Sequence, residues 1–165
     1  MKRILITGMS GTGKSSVIEA LAARGFAAID TDSDEWCEWH TDIEGGTAEP
    51  DWVWRADRIG DLLSDARTPA LFVSGCKSNQ GQFYPYFDQI VLLSAPLEVM
   101  LERIAGRTNN PYGKTEAERR QIVQHLNWVE PLLRARATLE LETSRLSVAE
   151  LADQLAALVA HTNSD

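Results

Sequence analysis

Residues 1–32 read MKRILITGMSGTGKSSVIEALAARGFAAIDTD. Within them, Gly8-Met9-Ser10-Gly11-Thr12-Gly13-Lys14-Ser15 is a complete G-x-x-x-x-G-K-[ST] phosphate loop. Its flanks match the motif's needs. Ile4-Leu5-Ile6 is a short buried-type strand before it, and Lys14 to Ala23 reads as a helix after it, with Val17 and Leu21 on one side. Arg24-Gly25 ends that helix. Glycines let the chain fold tightly around phosphate oxygens, and the backbone N–H groups of the turn and helix start make a pocket of positive partial charge. The nucleotide-holding set is therefore Gly8, Ser10, Gly11, Thr12, Gly13, Lys14, Ser15 and Ser16. Lys14 can reach the β and γ phosphates of ATP, and the Ser15 hydroxyl can hold Mg²⁺.

Outward from the loop, strand and helix patterns alternate. Residues 26–29 and 70–73 and 89–93 read as strands, and a last one spans 138–141. Helices are expected over 33–40, 51–66 and 96–105. Thr115-Glu116-Ala117-Glu118 is a capping box that opens a long helix carrying Ile122, Leu126, Val129 and Leu133. Ser147-Val148-Ala149-Glu150 is a second one before the C-terminal helix. Residues 41–50, 76–87 and 108–114 read as irregular. Five short apolar strands with helices between them predict an α/β fold on a parallel sheet. The 165 residues fit a single domain, 1–165.

Composition excludes several function classes. The net charge of −8 argues against a general nucleic-acid binder. No run is long enough to span a membrane, and the opening residues read as a strand rather than a leader. Cys37 and Cys76 form no C-x-x-C pair, and His40, His125 and His161 have no zinc-ligand spacing. A cytoplasmic protein, monomer or homodimer, is expected. Charge is unevenly spread: residues 30–51 hold acids and no Lys or Arg, whereas Arg103, Arg107, Lys114, Arg119 and Arg120 cluster in 102–120.

Among phosphate-loop classes, a GTP switch needs an N-K-x-D motif, which the sequence lacks. Asp42-Ile43-Glu44-Gly45 matches D-x-x-G but follows no strand. An ATPase motor places an acid at a core-strand end; here Ser74 and Gly75 follow 70–73. Asp30 and Asp32 instead stand just beyond the second strand, on the side where open α/β sheets bind ligands. One can join the Mg²⁺ shell while the other meets a substrate hydroxyl as general base; equally, Asp32 or Ser33 can cap a following helix.

These features resemble the small P-loop kinases: shikimate kinase, gluconate kinase and the nucleoside monophosphate kinases. The opening through Gly25-Phe26-Ala27-Ala28-Ile29-Asp30-Thr31-Asp32 looks like that of shikimate kinase. Glu102-Arg103-Ile104-Ala105-Gly106-Arg107 looks like the R-I-x-G-R stretch of adenylate kinases. The resemblance implies a P-loop NTPase three-layer sandwich, sheet order 2-3-1-4-5, with a short lid at about 107–116. It assigns Asp30 to the metal and Asp32 to the acceptor, Arg103 to the adenine and Arg107 to phosphate, with Arg119 and Arg120 where further phosphate-binding arginines often stand. It also sets Leu141-Glu142-Thr143-Ser144 on the adenine side.

The implied activity is ATP-dependent transfer of the γ-phosphate to a hydroxyl of a small metabolite, with Lys14, Asp32 and Arg107 as catalytic residues. The acceptor segment is about 32–60, and Asp32, Arg55, Arg58 and Lys77 are its candidate contacts. Arg55 and Arg58, three apart on one expected helix, can clamp an anion. Trp36, Trp39, Trp52 and Trp54 either close a small core over this region or form a stacking wall for a planar or cationic acceptor, and the acids around them favour a cation or polyol. Two other readings stand beside this one: a nucleoside monophosphate kinase, and an ATP-binding regulator with slow hydrolysis.

Overall fold

A computed structural model describes residues 1–41 and 49–160. The D-x-x-G stretch at 42–45 and most of the expected 41–50 loop lie outside the described residues. Among the described residues, seven strands and six α-helices follow in chain order: β1 (Lys2–Thr7), α1 (Lys14–Ala23), β2 (Ala27–Asp30), β3 (Cys37–His40), β4 (Asp51–Trp54), α2 (Ala56–Ser64), β5 (Ala70–Ser74), β6 (Gln89–Ser94), α3 (Leu97–Gly106), α4 (Glu116–Trp128), α5 (Glu130–Arg136), β7 (Leu139–Glu142) and α6 (Val148–Ala160).

The main sheet is parallel, in the order β2-β5-β1-β6-β7. Counting only its five strands, that is 2-3-1-4-5, as the family resemblance implied. Pleating sends Ile4 and Ile6 of β1 to one face, where they meet Val17, Leu21, Leu151 and Leu155 of α1 and α6. Leu5 points to the opposite face, into a cluster with Ile59 and Leu63 of α2, Cys37 and Trp54. A third cluster packs α3, α4 and α5 through Met100, Ile104, Ile122 and Leu133 against Leu92. Helices on both faces explain why the strands are continuous apolar runs. Among the described residues, no helix is long and apolar enough to cross a membrane.

Two expectations over the acceptor segment are corrected. Residues 33–40 do not form a helix: a turn leads into β3, which pairs antiparallel with β4 in register Cys37–Trp54 and Trp39–Trp52. The helix expected from 51 begins only at Ala56. Trp36 and Trp39 therefore share no helix face; Trp39 is exposed, and its ring lies 5.0 Å from that of Trp52 across the hairpin, tilted by 54°. Two further differences are smaller. Residues Gln80–Tyr86 form a 3₁₀ helix rather than irregular chain. The long helix from 116 breaks at Val129, because Pro131 at the start of α5 has no N–H to continue α4. The Thr115–Glu118 capping box is present, with both reciprocal bonds.

Candidate active site

In β1 lies the sheet's switch point, since chain order reverses on either side of it. Such a point opens a crevice at the strands' carboxyl ends. The phosphate loop leaves β1 there and borders a cleft of about 540 Å³. Gly11 takes φ +80°, and a Cβ on it would stand 2.8 Å from Met100 O, so only glycine lets the loop pass this close to α3. Thr12 Oγ1 donates to Met9 O at 2.8 Å, closing the turn from inside.

The Lys14 ammonium arches back over the loop and donates to Gly8 O at 2.6 Å and Met9 O at 3.0 Å. Burial pushes its pKa down, against the pull of Cys76, Asp30 and Asp32. Ser15 Oγ donates to Asp30 Oδ2 at 2.8 Å, so the hydroxyl and carboxylate expected at Mg²⁺ are adjacent. Two bonds through Thr31 hold the following residues. Its Oγ1 donates to Ser74 O at 2.6 Å and accepts from Trp54 Nε1 at 2.7 Å. Gly75 lies so close that a Cβ would stand 2.6 Å from that same Oγ1. Thr31 is fully buried while Asp30 and Asp32 on either side are exposed. Asp32 Oδ1 accepts from Lys77 Nζ at 2.9 Å, across the cleft from β2 to the segment after β5.

The far wall comes from α3 and the 3₁₀ turn Thr143–Arg145 after β7. Arg103 donates from Nη1 to Gly11 O at 3.2 Å and to Thr143 Oγ1 at 2.8 Å, and from Nη2 to Thr143 O at 3.0 Å. Thr143 Oγ1 in turn donates to Thr12 O at 2.8 Å. Arg107 donates to Tyr112 O at 2.7 Å, but its buried Nε has no partner. Burial pushes its guanidinium pKa down, with Asp32 the first group opposing that shift. An unpartnered buried N–H beside the phosphate loop fits a phosphate oxygen. The residues present thus fit MgATP.

The cleft gathers the whole phosphate-loop set, Asp30, Asp32, Lys77, Arg103 and Arg107. It does not include Arg55 or Arg58. Arg55 precedes α2 as its N-cap, so the expected helix-face pair does not form. Its Nε donates to Asp34 O at 3.0 Å and Cys37 O at 3.1 Å, and its Nη1 pairs with Glu38 at 3.2 Å. Arg58 lines a separate groove with Trp36, Asp57 and Asp61. Among the other bases of 102–120, Lys114 donates to Ile104 O, Ala105 O and Arg107 O at the end of α3, and Arg120 pairs with Glu116. Cys76, Asn109, Asn110 and His125 also border the cleft; the sequence placed Asn109 and Asn110 in the lid without a contact role, and missed His125. His125 carried no signal beyond lying on the helix after the lid.

Residues 4–124 match the family model described as AAA domain. No curated protein matches the chain by sequence. Among solved structures, shikimate kinase from Acinetobacter baumannii, in complex with shikimate, is similar at TM-score 0.66 and 21% identity, covering 100% of this chain and 96% of that one. Shikimate kinase from Bacteroides thetaiotaomicron gives 0.60 and 18%, over 96% and 98%. A gluconokinase from Sinorhizobium meliloti 1021 gives 0.54 and 18%, over 97% and 92%. At these identities the likeness is one of fold: the chain has the architecture of the small P-loop kinases.

Proposed function

The chain belongs to the AAA-domain family, and from that premise we propose that it is an ATP-dependent phosphotransferase acting on a hydroxyl group of a small metabolite. The observation that carries this reading is one cleft in which the phosphate loop, Arg107 and the Asp32–Lys77 ion pair meet. The kinase fold of the similar structures supports it.

When bound, MgATP would supply the transferable phosphoryl group and a cation to neutralise phosphate charge. Phosphoryl transfer asks the protein mainly for positioning and charge neutralisation. Lys14 and Arg107 supply fixed positive charge at the phosphates. Ser15 and Asp30 would hold the cation. Asp32 accepts the proton from the acceptor hydroxyl, and Lys77 keeps that carboxylate in place. Thr31, pinned from both sides, fixes the spacing of the two aspartates. Closure of the segment 107–116 brings Arg107 over the phosphates and excludes water, which would otherwise compete with the acceptor.

The test is ADP formation by the purified protein with MgATP and a panel of hydroxyl acceptors. Lys14→Ala should abolish stimulated turnover, and Asp32→Asn should cut kcat far more than ATP affinity. Equal losses in both from Asp32→Asn would make Asp32 a metal ligand. Near-normal rates in Lys14→Ala would overturn the reading.

A further inference from the structure

The acceptor end of the cleft has few cations to offer. Asp30, Asp32 and Lys77 border it beside Gly75 and Cys76. Lys77 is already paired: its ammonium lies 2.9 Å from Asp32, and only 13% of its side chain is exposed. Arg55 is committed to the hairpin, where its guanidinium ties Asp34 O and Cys37 O to the start of α2 and pairs with Glu38. Arg58 faces a different groove. The other cations of the cleft, Lys14, Arg103 and Arg107, stand at the phosphate loop and the nucleotide wall. Asp34 and Glu35, both exposed, follow Asp32 in the chain. Once Lys77 is set against Asp32, no Lys or Arg side chain is paired with Asp30 among the described residues.

Resting on the kinase reading above, we infer that the acceptor carries no carboxylate or phosphate: it is a neutral polyol or an amino alcohol. An anionic acceptor would bring its charge to Asp32, whose partner Lys77 is already engaged, while Lys14, Arg103 and Arg107, the other Lys and Arg side chains of the cleft, stand at the phosphate loop and the nucleotide wall. Like charges set together in a partly desolvated site are strongly discriminated against, whereas an ammonium is drawn in by the same field. The chain therefore departs in acceptor charge from a site built to clamp an acid, although the fold is shared.

Matched acceptors that differ in charge on one skeleton test this directly. ADP formation is measured with gluconate, sorbitol and glucamine, with shikimate and myo-inositol, and with AMP and adenosine. The expected result is a kcat/KM for a neutral or amino member at least roughly tenfold above that of its anionic counterpart. For glucamine, kcat/KM should also fall as salt is added, while sorbitol stays flat, because only the charged acceptor is screened. Preference for gluconate, shikimate or AMP overturns the inference and leaves the kinase reading standing. No stimulation by any member, with MgATP bound, counts against the kinase reading and takes the inference with it.

Discussion

Replacing Trp54 with phenylalanine probes the contact that sets the two site aspartates. Trp54 is 1% exposed, and its Nε1 donates to Thr31 Oγ1 at 2.7 Å. Thr31 stands between Asp30 and Asp32 and hands the same hydroxyl's proton to Ser74 O. Phenylalanine keeps an aromatic ring against Phe83, now 5.7 Å away between centroids, but removes the donor. The lost bond costs about 0.5–1.5 kcal/mol. The smaller ring leaves a void that adds about 1 kcal/mol. Together the loss is about 2 kcal/mol, or a Tm fall of about 4–8 °C for a domain of this size. Urea unfolding followed by far-UV circular dichroism measures it. Thr31→Val breaks the bond from the other side, so the double mutant should show about 1 kcal/mol of coupling. Both variants should lower kcat more than they raise KM for ATP. Additivity within about 0.3 kcal/mol would show that no such bond operates, and the account of how the aspartates are held would fall with it.

Three further outcomes are expected. Burial lowers the Lys14 pKa, so the ammonium form is lost at a lower pH than for an ordinary lysine. The alkaline limb of kcat/KM for ATP should therefore fall below the usual lysine range of about 10.4. The kcat limb should lie higher, because bound phosphates favour the charged form; coincident limbs would exclude Lys14 as their source. Arg103→Met removes three bonds to Gly11 O and Thr143, and should weaken nucleotide binding about tenfold in calorimetry while the far-UV spectrum stays native. Thr115→Ala breaks the capping box before α4 and should cost about 1 kcal/mol in urea unfolding; an unchanged midpoint would show that the cap adds nothing.

The nucleotide end of this molecule was legible because its signals are local. A strand, the phosphate loop and a helix carry their own geometry, and Ser15 meets Asp30 because α1 begins and β2 ends at the carboxyl edge of one sheet. The acceptor end was misread because its structure is decided at a distance. Trp36 and Trp39 stand at helical spacing, yet Cys37 and Trp39 also alternate as a strand, and only the partner strand β4 settles which pattern is used. Arg55 and Arg58 looked like a pair on one helix, but β4 takes the chain up to Trp54 and leaves Arg55 at the helix entrance. Pro131 was visible throughout; the apolar spacing of Ile122 to Leu133 masked the break it imposes. The Lys77–Asp32 pair joins positions 45 apart and has no counterpart in any short pattern.

Thr143 gives the molecule a timetable. Its hydroxyl meets the carbonyl of Thr12 from 131 positions further along the chain, and Arg103 spans the two. On the ribosome the phosphate loop emerges well before the residue that braces it, 131 positions further on. A nascent chain stalled before residue 143 has the loop without its brace. Until residue 143 has emerged, the half-built sheet lacks the contact that ties the phosphate loop to the turn after β7.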